Sequence, residues 1–179
     1  LKSHREDSAS IQYSDIRKMK KEELRKFFVG KSLVYIYHNQ IDKRGETAED
    51  EVFTACKEAI DEIDNLIVRL TDSTSRVNYI VTADHGFIYK RSKLVESDKI
   101  EKFSYKDDMV NKRFVLSDKD FQVLGTKSLM VADAFGNQDD RTITMPMASN
   151  IFKTVGGGQN YVHGGSSPQE ILIPVIGLK

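Results

Sequence analysis

The strongest constraint on the fold is a long run of helical periodicity set between two short apolar runs. Val52, Ala55, Cys56, Ala59, Ile60, Ile63, Leu66, Ile67 and Leu70 recur at the spacing of one helix face. Thr47, with Asp50 three residues on, offers a capping-box-like start. The pattern predicts the longest helix of the chain over 47–70, with a turn from Thr71 to Ser75. Ahead of it, 32–38 reads Ser-Leu-Val-Tyr-Ile-Tyr-His. That nearly continuous apolar run is how a central strand buried on both faces reads. Behind it, 77–81 is rich in β-branched and aromatic residues and predicts a second strand. Strand, long helix, strand is a βαβ crossover, which is right-handed and lays its strands parallel. The fold class is therefore α/β.

The second strand runs directly into Val81-Thr82-Ala83-Asp84-His85-Gly86. Open α/β sheets place ligands at the carboxyl ends of their strands. A carboxylate beside an imidazole suits Zn²⁺ or Mn²⁺, and Gly86 lets the backbone turn away without a Cβ clash. The bland alternative is a strand end with a solvated aspartate and a capping histidine. The first strand also ends in a histidine, His38, with Asp42 four residues later. A crossover brings His38/Asp42 and Asp84/His85 to the same edge of the sheet, and this convergence favours the metal reading.

Composition narrows the function classes. The 179 residues are enough for a real core. The 27 basic residues balance 27 acidic ones, so no overall charge attracts nucleic acid or membrane, although a local basic patch stays open. The single cysteine, Cys56, rules out an internal disulfide and a cysteine-based zinc site, and fits a small core residue in a reducing compartment. No apolar run approaches the roughly 18 residues of a membrane span, and no signal-peptide pattern is present. The first residue is Leu1, so the chain is expected to have been cut from something longer.

The remaining segments read as follows. Residues 1–18 are a polar, irregular lead-in, with His4 an exposed tail residue. Residues 19–29 predict a short charged helix whose apolar side is Met19, Leu24, Phe27 and Phe28, its lysines forming a solvated face. Over 87–155 the character changes. Arg113-Phe-Val-Leu, Ser128-Leu-Met-Val and Thr142-Ile-Thr-Met-Pro-Met read as strands between polar turns, an antiparallel insert or cap. Asp139-Asp140 reads as a turn ahead of a cation site. Near the end, two glycine clusters flank His163 and permit close backbone approach, to a ligand or to neighbouring chain. The triple glycine lacks the Lys-Ser/Thr of a P-loop and reads as a mobile turn. Ser166-Ser-Pro-Gln-Glu resembles a helix start with Pro168 near its first position. Residues 171–176 predict a last strand, with Pro174 marking an edge or a bulge.

Three ordered stretches carry a resemblance. Tyr37-His-Asn-Gln-Ile-Asp42 with Gly45, Thr82-Ala-Asp-His-Gly-Phe87, and Val162-His-Gly-Gly-Ser-Ser-Pro-Gln-Glu-Ile-Leu-Ile-Pro-Val175 closely resemble the PglZ domain. That family is the phosphatase-like component of BREX phage-defence systems, within the alkaline phosphatase superfamily. Three of the four histidines fall in these motifs. The resemblance implies an alkaline-phosphatase-like sheet with flanking helices, present here as the C-terminal part of the domain over 1–179. It implies a phosphoester hydrolase, phosphatase or phosphodiesterase, with two divalent metal ions, Zn²⁺ or Mn²⁺, about 4 Å apart. It assigns Asp84 and His85 to one metal, and His163 with His38 and Asp42 to the other. The order of His38 and Asp42 is reversed relative to the family's Asp-then-His pair, which leaves their individual roles open. The superfamily's Ser or Thr nucleophile lies on an upstream strand with no counterpart in residues 1–30, so the chain alone is expected to be inactive. The implied setting is cytoplasmic. The implied partners are a phosphoester substrate, with nucleic acid as one candidate, and other BREX proteins, with no membrane. A phosphatase-like scaffold that binds other defence proteins without catalysis is the alternative, and a phosphomutase of the same superfamily stays open.

Overall fold

The computed structural model describes residues 6–75, 78–101, 104–120, 122–154 and 160–179. The readings of His4 and of the triple glycine lie outside these residues. The chain divides into two units, Leu1–Val81 with Ile176–Lys179, and Thr82–Val175.

The first unit opens with a strand that sequence reading placed in an irregular lead-in. β1 (Ser8–Gln12) is Ser-Ala-Ser-Ile-Gln, with no apolar run to announce it. Its partner makes it a strand: it lies parallel to β2 (Leu33–Tyr37), from Ser8↔Leu33 to Gln12↔Tyr37. Between them come the one-turn helix α1 (Tyr13–Ile16) and α2 (Lys21–Phe28), the helix expected over 19–29. After β2 follow α3 (Gln40–Thr47), a 3₁₀ turn at Glu49–Glu51, and the long α4 (Val52–Thr74). The expected capping box at Thr47 does not form. Thr47 closes α3 instead, its hydroxyl donating back to the Lys43 carbonyl at 2.7 Å. The helix also runs past its predicted end to Ser75, which caps it in the left-handed region at φ 56°. β3 (Tyr79–Thr82) then forms as expected; Val77 lies outside the described residues.

One apolar core holds this unit. Ile16, Leu24, Phe28, Leu66 and Leu70 are buried together, with Ile11, Val34, Ile36 and Tyr79 packed on them from the strands. Helices α2 and α4 thus cover one sheet face. Arg25 ties their ends, its Nε donating to the Ser73 carbonyl at 3.0 Å at the carboxyl end of α4. The expectation that β2 is buried on both faces is not met. Leu33, Tyr35 and Tyr37 remain 40, 38 and 42 % exposed, with the two tyrosine rings packed on each other at 4.4 Å. Cys56 is half-buried, and burial pushes its thiol pKa up. The expected parallel pairing of the two crossover strands is also absent among the described residues: β2 takes β1, while β3 takes the last strand of the chain.

The second unit is built from short strands. They are β4 (Ile88–Tyr89), β5 (Lys99–Ile100), β6 (Met109–Val110), β7 (Val115–Ser117) and β8 (Thr126–Met130). After α5 (Val131–Phe135) come β9 (Thr142–Pro146), β10 (Ile151–Phe152), β11 (Tyr161–Val162) and α6 (Pro168–Ile171). The last strand of the chain, β12 (Val175–Leu178), belongs mostly to the first unit and begins only after Pro174, later than expected, because 168–171 is helical. The three strands anticipated in this region join an antiparallel sheet of order β6-β7-β9-β8. Two details differ. Val131 starts α5 instead of extending β8, and Arg113 precedes β7. Asp139 sits in a turn, as read, with its carboxylate held by Arg141 at 2.9 and 2.6 Å. Those hydrogen bonds pull its pKa down to about 2.

At the centre of this unit lies a charged pair without solvent contact. Arg113 is 0 % and Glu170 2 % exposed. Arg113 Nε and Nη2 donate to the two Glu170 oxygens at 2.9 and 2.7 Å, a bidentate fork. Two of the three remaining guanidinium hydrogens go to the Ala148 carbonyl at 2.8 Å and to the Asn150 carbonyl. Glu170 is the N3 residue of α6, and it closes a capping box with Ser167. It accepts from the Ser167 amide at 3.1 Å, the Ser167 hydroxyl at 2.7 Å and the Gly165 amide at 2.9 Å. Burial acts to raise the Glu170 pKa, but the hydrogen bonds from Arg113, Ser167 and Gly165 outweigh it, and the carboxyl lies below its usual range.

Two outcomes follow for stability. Truncating the fully buried Leu24 to Ala should cost about 2–5 kcal/mol, whereas Tyr35→Ser on the exposed face should cost less than about 1 kcal/mol; urea unfolding of both variants measures the contrast. Glu170 gives a pH signature. Its folded-state pKa is lowered, so its contribution is whole above the unfolded value of about 4.3. It fades as pH falls from there through the folded value, because the unfolded chain takes up the proton first. The difference in unfolding midpoint between the native chain and Glu170→Gln should therefore be largest near neutrality and shrink below about pH 4. A difference independent of pH would contradict the ionised, paired Glu170.

Candidate metal centre

The local structure after β3 sets the first histidine. The His85 amide donates to Asp84 Oδ1 at 3.1 Å, and His85 Nδ1 lies 3.0 Å from the Gly86 carbonyl. A carbonyl only accepts, so Nδ1 carries a hydrogen, and Nε2 is the nitrogen that would ligate. This is the arrangement in which a histidine ligates through one nitrogen while the other is held by an outer acceptor.

The second histidine arrives by strand register. β4 and β11 are antiparallel, with Ile88 opposite Val162 and Tyr89 opposite Tyr161. One step further places His163 opposite Phe87, with His85 its diagonal neighbour. The two imidazoles stack with centroids 4.3 Å apart and planes 5° from parallel. Their donor nitrogens lie within 4.8 Å of each other. Two ligands on a tetrahedral Zn²⁺ sit roughly 3.3 Å apart, and because the lone pairs lie in the nearly parallel ring planes, the rings would have to tilt for both to reach one ion. Tyr161 backs the stack, its ring 5.8 Å from His163 and 4.9 Å from Phe87.

The glycines of both motifs are explained by neighbouring chain. A Cβ on Gly86 would lie 2.1 Å from the Gln169 carbonyl oxygen. On Gly165 it would lie 2.7–2.9 Å from the Arg113 guanidinium. Gly164 sits at φ +95° against the Phe114 ring, a conformation that favours glycine.

The other sequence-predicted residues are placed differently. Asp84 keeps its side chain 80 % exposed, with Oδ1 4.0 Å from His85 Nε2. Asp42 is in the first turn of α3 and half-buried, where a carboxylate also suits the helix N-terminus. His38, at the end of β2, is nine-tenths buried, with Nε2 2.7 Å from Glu62 and the Tyr13 ring 4.7 Å away. A carboxylate accepts, so Nε2 carries the hydrogen. The buried Nδ1 has no hydrogen-bond partner among the described residues. An imidazole held by a carboxylate with its other nitrogen unsatisfied is a donor set that fits a metal ion. Burial first, and then the Glu62 charge, raise the Tyr13 pKa.

Sequence reading missed Glu62, Arg113 and Glu170. Glu62 carries no local signal, one acid among several on α4. Arg113 meets Glu170 across 57 residues, beyond any spacing rule. Only Ser166-Ser-Pro-Gln-Glu170 was read, as a helix start with Pro168 near its first position; the structure adds that Ser167 and Glu170 close a capping box there.

Comparison with known proteins agrees with these motifs. Residues 1–178 match the family described as the BREX system PglZ alkaline phosphatase-like domain. The chain is 40 % identical over 181 aligned residues to the alkaline phosphatase-like protein PglZ of Bacillus cereus (strain H3081.97), covering all of this chain and 21 % of that protein. It is 32 % identical over 178 residues to the alkaline phosphatase-like protein BrxZ of Escherichia coli O9:H4 (strain HS), covering 95 % of this chain and 20 % of that one. The chain thus spans about a fifth of the length of these relatives. No helix among the described residues is long and apolar enough to cross a membrane. On the family match over nearly its whole length, and with a mixed α/β structure to suit it, the chain belongs to the PglZ family of alkaline phosphatase-like domains found in BREX phage-defence systems.

Proposed function

We propose that this chain is part of a metal-dependent phosphoester hydrolase of a BREX phage-defence protein, and that it supplies metal ligands to that enzyme. The observation that carries the reading is the His85–His163 stack, with the Nδ1 hydrogen of His85 committed to a carbonyl. His85, His163 and Asp84 are the proposed ligands of the second unit, and His38 and Asp42 those of the first. The orphaned Nδ1 of His38 supports its inclusion.

When bound, divalent Zn or Mn ions would polarise the phosphoryl oxygens and stabilise the leaving oxygen. This chain's own residues hold and orient. Gly86 fixes the His85 ring by accepting from Nδ1 with its backbone carbonyl, and Glu62 fixes His38 by accepting from Nε2 with its carboxylate. The attacking Ser or Thr belongs to another part of the longer protein, so this stretch is inactive by itself. Substrates are phosphoesters, with nucleic acid a candidate, the protein partners are other BREX components, and the site of action is the cytoplasm.

The test uses a protein of the full length of its relatives. Hydrolysis of p-nitrophenyl phosphate and bis-p-nitrophenyl phosphate is followed with Mn²⁺ or Zn²⁺, beside the Asp84→Ala/His85→Ala variant. The expected result is metal-dependent turnover of one ester class, lost at least about 100-fold in a folded variant. No hydrolysis with any metal, alongside phage defence unchanged by the variant, would replace the enzyme with a binding scaffold.

A further inference from the structure

Two loops carry the histidine pair, and one residue grips both. Glu170 accepts the Gly165 amide with its carboxylate at 2.9 Å, two residues beyond His163. With its backbone carbonyl it accepts the Gly86 amide at 2.8 Å, one residue beyond His85. The Gly86 carbonyl in turn holds His85 Nδ1. Glu170 itself cannot swing, because Arg113 clasps both its oxygens and Ser167 adds two more donors. Contacts leave no slack on either side: a methyl group on Gly86 or Gly165 would collide with Gln169 or Arg113.

We propose that Glu170, locked by Arg113, is the positioning residue that sets the separation and ring orientation of His85 and His163. The proposal rests on the reading of these histidines as metal ligands only for its consequence in metal affinity. The clamp itself is a property of the metal-free chain. Arg113 and Glu170 lie behind the ligands and act through the backbone of the two glycine loops. Removing one oxygen–amide bond lets the His163 loop drift, and shifting the α6 backbone releases Gly86 and with it the His85 ring. Outer groups that orient a ligating histidine are worth about 10- to 100-fold in metal affinity.

The experiment labels histidine with ¹⁵N and records long-range ¹H–¹⁵N spectra of the metal-free chain, native, Glu170→Asp and Glu170→Gln. Unfolding midpoints are measured in parallel, and Zn²⁺ affinity is obtained by competition with a chromophoric chelator. The native chain should show His85 as the Nδ1–H form. Glu170→Asp keeps the charge beside Arg113 but retracts the carboxylate. In a folded Glu170→Asp chain the His85 and His163 signals should move together, the His85 tautomers should mix, and Zn²⁺ should bind about 10- to 100-fold more weakly. A folded Glu170→Asp chain with native histidine signals and native affinity would overturn the proposal. Should Glu170→Asp fail to fold, Glu170→Gln carries the same test, since it keeps the side-chain length but breaks the charged fork to Arg113: displacement of both histidine signals supports the clamp, and unchanged signals overturn it. If the native chain binds no Zn²⁺, the metal reading fails, while the histidine spectra still decide the clamp.

Discussion

A buried ion pair stabilises a protein only when its other donors and acceptors find partners, and Arg113–Glu170 comes close to that condition. Desolvating two charges costs several kcal/mol each before any attraction returns it. Here the guanidinium fork matches the carboxylate, two backbone carbonyls take two of the other three guanidinium hydrogens, and Ser167 and Gly165 complete the carboxylate. The arrangement has a consequence for specificity. Removing either partner strands a charge, at a cost of about 3–5 kcal/mol, so the loops around Gly86 and Gly165 have one low-energy placement. The His-bearing motifs of the second unit inherit their geometry from it.

The first unit is governed by a different balance. Its core is a helix-on-sheet contact, with α2 and α4 burying leucines and a phenylalanine against Val34 and Ile36. The opposite face of β2 carries Leu33, Tyr35 and Tyr37. Tyrosine tolerates this position because its ring packs on its neighbour while its hydroxyl stays wet. At the end of β2, His38 is held by Glu62 from α4, so the long helix positions a candidate ligand as well as closing the core.

What could be read in the sequence was what is local and periodic. The long helix was legible because Ala55, Ala59, Leu66 and Leu70 repeat on one face, and they are buried. Its start was misread, since a threonine hydroxyl can serve the helix before it as well as the one after, and Thr47 serves α3. β1 was not legible at all: Ser-Ala-Ser-Ile-Gln becomes a strand through pairing with β2. The family was legible because three motifs fall in order, and the match over 1–178 bears it out. Of the site, the ligand types could be read from those motifs, whereas the residues that hold them could not. Glu62 and Arg113 act across 24 and 57 residues, and no local pattern encodes such a pairing.

The central claim is that the His85–His163 pair belongs to a divalent-cation site, and titration calorimetry of Zn²⁺ into the whole chain tests it most directly, beside His85→Ala and His163→Ala. The account predicts saturable binding by the native chain, weakened at least about tenfold by either substitution, with both variants folded. Equal affinity in all three chains, or no saturable binding by the folded native chain, would contradict it.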